Sequence, residues 1–409
     1  MTNKQTAIKV IKRLSRNGFQ ALLAGGCVRD MLLRRPASDY DVATNAQPDD
    51  VIKLFRRTLK VGAKFGVVII LLEDKQVEVA TFRTEAGYAD GRHPSVVKFT
   101  GAAEDAGRRD FTINGMFYDP VKEKVIDYVD GRADLKKGLI RTIGKAKERF
   151  NEDYLRMLRA VRFSTQLGFA IEPTTWSAIC SNAKKITKIS GERIAIELEA
   201  ILVNPNRSVG ASMLTKSGLA KAIFPGFAKK YSEFAANVLD QLRKKVDFAL
   251  ALASLFAGCP TEFACQRCQI LKLSRSRNKH IKFLLTNRGK LLDDQMALSR
   301  LKMVLAGPYF QDLYELQRAI QKARPDGAEG ITALTRLRKK IRDLGDVELR
   351  PKPLLNGHDL IRLGAAPGPG LGQLAQEMYI AQLEGKLQTP AQARQWAQTW
   401  LQKHKIVQK

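Results

Sequence analysis

Apolar positions recur every three or four residues over 6–17 (TAIKVIKRLSRN), the spacing of one helical face, before a short apolar run that ends in two glycines, ALLAGG at 21–26. The pattern predicts a helix, a strand and then a short helix over 28–35 (VRDMLLRR) that opens at Val28. Strand-like runs follow around DYDVAT (39–44), VVIILL (67–72) and VEVATFR (77–83). Beyond about residue 141 strand signals nearly vanish and the apolar spacing becomes helical, as in LRMLRAVRFSTQLGF (155–169) and ERIAIELEAIL (192–202). The expected fold class is therefore α+β: a mixed unit over the first 140 or so residues, with mostly helical chain after it. Clusters of Pro, Gly and Asn at 203–208, 224–226, 257–260, 324–330 and 349–353 are candidate breaks. No internal repeat or low-complexity tract interrupts the pattern, and 409 residues suffice for two to four compact units.

Charge narrows the partner. Sixty-nine Lys and Arg against 41 Asp and Glu give +28, well beyond what solubility needs. Residues 1–200 hold 35 basic and 25 acidic residues (+10), and the remainder 34 and 16 (+18). The basic residues spread over many predicted helices instead of gathering beside one apolar segment, which favours nucleic acid over a membrane surface. VVIILL is far shorter than the ~20 residues that cross a bilayer, and MTNKQTAIKV has no signal-peptide core, so a cytoplasmic location is expected. Five scattered cysteines do not make a disulfide framework. Cys265 and Cys268 form a CxxC with no second pair at zinc-site spacing.

The candidate chemistry starts at Asp39 and Asp41. On a strand, residues i and i+2 share a face, so SDYDVAT presents two carboxylates side by side. Such a pair suits two Mg²⁺ ions held roughly 4 Å apart, which activate an attacking hydroxyl and support a leaving pyrophosphate. Gly25 and Gly26 let the backbone come close to phosphate at a helix start. Glu78, on an alternating strand opposite to Val77 and Val79, is a candidate third carboxylate. In GRRDFTINGMFYD (107–119), Arg109 suits phosphate, and Asp110 can accept from a ribose hydroxyl or serve in a local ion pair.

A single helix is predicted over NEDYLRMLRAVRF (151–163), with Asp153, Arg156, Arg159 and Arg162 at every third position. A carboxylate beside a guanidinium matches the edges of cytosine and adenine and leaves guanine and uracil with a carbonyl where an amino group is needed. In the alternative, Glu152 and Arg156 form an ordinary i,i+4 salt bridge.

Together these stretches resemble the class II tRNA nucleotidyltransferases, the CCA-adding enzymes related to bacterial poly(A) polymerases. GGCVRD (25–30), SDYDVAT (38–44), TFRTEAGYADGRHP (81–94), RRDFTINGMFYD (108–119), EDYLRMLRAVRF (152–163) and GERIAIELEAIL (191–202) come in that family's order, and 355–401 matches more weakly. The resemblance implies a polymerase-β-like nucleotidyltransferase head (1–140), followed by an all-α neck (141–205), body (206–350) and tail (351–409). It implies Asp39 and Asp41 as Mg²⁺ ligands assisted by Glu78, and Asp153 and Arg156 as readers of the base. Gly25, Gly26, Arg29, Arg109, Asp110, Asn114, Arg159 and Arg162 would hold the nucleotide. The substrates would be CTP, ATP and the 3′ end of tRNA, gripped by its acceptor arm; the oligomeric state is left open. The presence of TEAGYADGRHP (84–94) and the mildly basic end LQKHKIVQK (401–409) place full CCA addition ahead of A-only addition and poly(A) synthesis. Four histidines with one His358–Asp359 dyad exclude the phosphohydrolase that some relatives carry.

Overall fold

The computed structural model describes residues 2–60, 65–87, 96–293, 295–345 and 348–404. Most of the loop at 84–94, with His93, and the last five residues of the C-terminal stretch therefore lie outside the described residues. The described chain gathers into two compact units: residues 2–236 with 265–274, and 237–264 with 275–404.

In the first unit, helix α1 (Asn3–Arg16) begins with a reciprocal cap between Thr2 and Gln5. It buries Ala7, Val10, Ile11 and Leu14, the stripe its periodicity predicts. Strand β1 (Ala21–Ala24), helix α2 (Gly26–Leu32), strand β2 (Asp41–Thr44) and helix α3 (Pro48–Leu54) come next. Strands β3 (Thr58–Leu59), β4 (Val67–Leu72) and β5 (Lys75–Thr81) lead to a separate hairpin, β6 (Arg83–Ala86) and β7 (Val96–Phe99). Helix α4 (Ala102–Gly107), strands β8 (Phe117–Asp119) and β9 (Lys124–Ile126), and helix α5 (Gly131–Lys137) complete the mixed region. The main sheet has the order β3-β4-β5-β2-β1-β8-β9, antiparallel except for the parallel pair β2 and β5. α1 packs on one face through Val42, Val77 and Val79. On the opposite face Leu22, Ala24, Ala43 and Phe82 pack with Ala102 and Ala106 of α4.

The helical part of this unit is interrupted once, by the two-residue strands β10 (Leu139–Ile140) and β11 (Ala170–Ile171), which pair in parallel. Helices α6 (Ala146–Glu152), α7 (Leu155–Leu167), α8 (Pro173–Asn182) and α9 (Gly191–Leu202) make up the segment next to the sheet domain. The expected breaks at 224–226, 257–260 and 349–353 fall between helices, while those at 203–208 and 324–330 run into the first residues of the helices Arg207–Lys216 and Ala328–Asp343.

Every helix of the second unit is short to moderate in length. His280, buried and stacked on Tyr309, sits 3.4 Å from Asp247 through Nδ1 and 3.3 Å from Asp312 through Nε2. It thereby bridges three helices; Arg243 also holds Asp312, at 2.6 Å. Leu360, Leu374, Met378, Ala397 and Trp400 form a core of their own near the C-terminus. His358 is exposed there, and Asp359 is occupied in a reciprocal cap with Asn356. All five cysteines are free, and among the described residues none belongs to a metal-ligand group.

Candidate active site

Strand register brings the carboxylates together. Ala24 of β1 stands opposite Asp41, and the parallel pairing of Val42 with Val79 puts Glu78 beside Asp41. Because Val42, Val77 and Val79 point toward α1, alternation turns Asp41 and Glu78 to the other face of the sheet. Asp41 is the first residue of β2; Asp39 lies before the strand, where its carboxylate accepts from the Ser38 hydroxyl at 2.9 Å. Asp39 is therefore not on the strand where the spacing alone places it, and its charge reaches Asp41 from the segment leading into β2. Solvent reaches Asp41 from the cleft, but protein encloses it otherwise. Burial, then the charges of Glu78 and Asp39, push its pKa up to about 6 against the Arg109 guanidinium.

The glycine pair turns the chain from β1 into α2, which opens at Gly26, two residues before the expected Val28. Gly25 has φ of 74°, a conformation that favours glycine, and a Cβ there would lie 3.0 Å from Arg109 Nη1. Arg29 is buried: it donates to Asp30 at 2.9 and 3.0 Å and to Asn114 Oδ1 at 2.8 Å. Asn114 Nδ2 in turn donates to Asp110 at 3.1 Å, and Arg159 donates to the other Asp110 oxygen at 2.8 and 2.6 Å. Arg162 pairs with the buried Glu197 of α9 at 2.7 Å. Asp105, 1% exposed, receives both Arg108 and Arg109. Glu85 accepts from Arg83 at 2.6 Å and Arg108 at 3.2 Å, which ties the root of the β6–β7 hairpin to the same cluster.

Asp110 forms an ion pair, but not the local one of the sequence reading: its partner is Arg159, forty-nine residues on. Burial by itself would raise its pKa; the Arg159 guanidinium and the hydrogen bonds from Asn114 and Arg159 outweigh it and hold the carboxyl at about 2. A folded-state value below the unfolded one, about 3.9, contributes stability that is present above pH ~4 and is lost as pH falls toward 2. Asp110→Asn should therefore be less stable than the parent chain by about 2 kcal/mol at pH 6, and the difference should shrink toward zero near pH 2. Denaturant melts across that range check it; a gap that does not change with pH would refute the assignment.

At the far end, the predicted single helix over 151–163 is two. α6 stops at Glu152, Asp153 is extended with φ of −148°, and α7 starts at Leu155. The break follows from Asp153 itself, whose Oδ1 accepts the Leu155 N–H at 3.0 Å and satisfies a free amide at the helix start. Its Oδ2 accepts from Arg193 of α9 at 2.7 Å. Arg156 pairs with Glu152, the i,i+4 alternative, and donates to the Arg149 carbonyl at 2.9 Å. Asp153 and Arg156 thus stand on the same cleft with different partners.

That cleft holds about 450 Å³. Eleven of the thirteen expected site residues line it: Gly25, Gly26, Arg29, Asp41, Arg109, Asp110, Asn114, Asp153, Arg156, Arg159 and Arg162. Asp39 and Glu78 stand outside the lining and act on Asp41 through their charge. Arg108 and Arg193 also line it, bringing the arginines to seven against three aspartates, two of them already paired. Each of the seven is held by a carboxylate, which fixes guanidinium groups whose remaining N–H donors suit a polyanion such as a triphosphate. Arg193, Glu197 and Asp105 carry no role in the sequence reading. Arg193 and Glu197 lie in GERIAIELEAIL, where their spacing of four residues, which puts both on one helix face, was the available signal.

The family model described as "Poly A polymerase head domain" matches residues 21–141, and that described as "Probable RNA and SrmB- binding site of polymerase A" matches 168–231. The CCA-adding enzyme of Lactobacillus johnsonii is 34% identical over 395 residues, covering 93% of each chain. That of Geobacillus stearothermophilus is 33% identical over 395 residues and 94% of each. Among solved structures, the crystal structure of the Bacillus stearothermophilus CCA-adding enzyme in complex with CTP superimposes with a TM-score of 0.79, at 29% identity over 99% of both chains.

Proposed function

The chain belongs to the CCA-adding enzyme family, and we propose that it builds the sequence CCA on the 3′ end of tRNA from CTP and ATP, without a nucleic-acid template, releasing pyrophosphate. The observation that carries this reading is one cleft lined by Asp41, seven arginines and the acceptor and donor Asp153 and Arg156.

Asp39, Asp41 and Glu78 offer hard oxygen donors crowded enough to raise the pKa of Asp41, which fits a divalent cation as the missing countercharge. Mg²⁺ bound there would supply activation of the tRNA 3′ hydroxyl and stabilisation of the leaving pyrophosphate. The chain's own residues do the rest. Arg29, Arg109, Arg159 and Arg162 bind the triphosphate, each oriented by a carboxylate that is not free to turn away. Glu152 and the Arg149 carbonyl hold the Arg156 guanidinium in one orientation, and Arg193 does the same for the Asp153 carboxylate. Both oxygens of Asp153 keep a further lone pair for an amino group of cytosine or adenine. Asp110 acts in this scheme through Arg159 and Asn114, as a positioning residue.

We assign residues 1–140 as the head, 141–205 as the neck, 206–350 as the body and 351–409 as the tail, the last two gripping the acceptor arm of tRNA in the cytoplasm. Among the described residues no helix is long and apolar enough to cross a membrane. The test offers tRNA transcripts ending before CCA, after C and after CC, each with CTP, ATP or both. Extension of all three to CCA is expected. Growth of the CC-ended transcript alone would replace the reading with A-only addition, and unlimited A addition with poly(A) synthesis.

A further inference from the structure

The first helix carries a second polyanion surface that the catalytic cleft does not use. No carboxylate precedes Asp30, while Lys9, Lys12, Arg13 and Arg16 follow one another on the exposed side of α1. From Lys9 to Arg16 they span about 10 Å along the axis, more than one phosphate group can occupy. They form the rim of a cleft of 780 Å³ whose floor includes Phe55 and Leu72. Lys9 is paired with Glu73 at 2.5 Å; among the described residues Lys12, Arg13 and Arg16 meet no carboxylate. Unpaired cations are common on a chain of +28, but here they converge on a concave, partly apolar floor.

Arg13 decides what the cleft fits. Its guanidinium lies 5.0 Å from the centre of the buried Phe55 ring, and both residues line the cleft. Nucleobases stack on a guanidinium plane, and the flanking Lys12 and Arg16 stand where a backbone phosphate would pass. An anionic membrane would meet the charges but could not fill a concave floor, and carboxylates of an acidic protein would pair with the arginines but leave the stacking plane unused.

The sheet separates this cleft from the catalytic one. α1 covers the face reached by Val42, Val77 and Val79, and Asp41 and Glu78 lie on the other. We propose that the Lys12–Arg13–Arg16 face of α1 binds single-stranded RNA independently of the catalytic cleft.

The probe is a fluorescent 12-nucleotide RNA of mixed sequence, containing 4-thiouridine and blocked by a 3′ phosphate, added to the full chain. Its cross-links are expected in residues 5–16 or at Phe55. Lys12→Glu/Arg13→Glu/Arg16→Glu should weaken binding tenfold or more. It should also flatten the plot of log affinity against log salt by about 2, at roughly 0.7 per cation for single strands. Nucleotide addition to a minimal acceptor-stem hairpin should be unchanged, which shows that the variant folds. Should that triple variant not fold, Lys12→Gln and Arg16→Gln should each flatten the slope by about 0.7. Arg13→Lys should keep the slope and lose affinity several-fold, because the charge stays and the plane goes. Unchanged affinity and slope, cross-links confined to the Asp41 cleft, or an Arg13→Lys variant that binds as well as the parent would each overturn the proposal. So would loss of binding to phosphatidylglycerol vesicles with RNA binding intact.

Discussion

Asp41→Ala should reduce nucleotide incorporation by at least about 10³-fold while leaving the affinity for tRNA within a factor of two or three. Asp41 sits where three carboxylates meet, next to Glu78 in the sheet and two residues from Asp39. Its removal takes away the centre of the donor set, and loss of several kcal/mol of charge stabilisation at roughly 1.4 kcal/mol per tenfold gives that magnitude. It adds no bulk and breaks no hydrogen bond that holds the sheet, so the cleft arginines keep their carboxylate partners. Asp39→Ala should have a similar effect. Single-turnover incorporation of CMP, measured beside tRNA binding under the same salt, tests both. Incorporation within tenfold of the parent chain would remove Asp41 from the catalytic role.

Nucleotide choice should collapse in Asp153→Ala. The ratio of kcat/KM for CTP and ATP over GTP and UTP is expected to fall by roughly 10- to 100-fold, since the penalty for a carbonyl facing the half-buried carboxylate, about 1–3 kcal/mol, is gone. Arg193→Ala should produce a weaker version of the same change: Asp153 keeps its charge but loses the ion pair, at 2.7 Å, that sets its orientation. A merely structural role for Arg193 would lower all four values together. Unchanged discrimination in Asp153→Ala would end the assignment of this residue to base reading, whatever happens to the overall rate.

Much of this could be read along the chain because helix and strand periodicity depends on near neighbours. The buried stripe Ala7, Val10, Ile11 and Leu14, the alternation that turns Glu78 away from Val77 and Val79, the glycine turn and the breaks at 224–226, 257–260 and 349–353 are local features, and the structure has each. Residue types and their order also sufficed to identify the family and to name most of the side chains that line the cleft. Two local readings missed by a little for a local reason. Gly26 opens α2 once Gly25 takes a positive φ, and Asp153 begins a new helix by accepting an amide hydrogen bond at its start.

Only the tertiary structure decided which charge answers which. Asp153 finds Arg193 forty residues away, Asp110 finds Arg159 forty-nine residues away, and Arg162 closes on Glu197 from another helix. Spacing can put a carboxylate and a guanidinium on neighbouring turns of one helix. Whether they pair with each other or with the next helix depends on where the helices dock, and that is set by the burial of their apolar faces, not by the charges themselves.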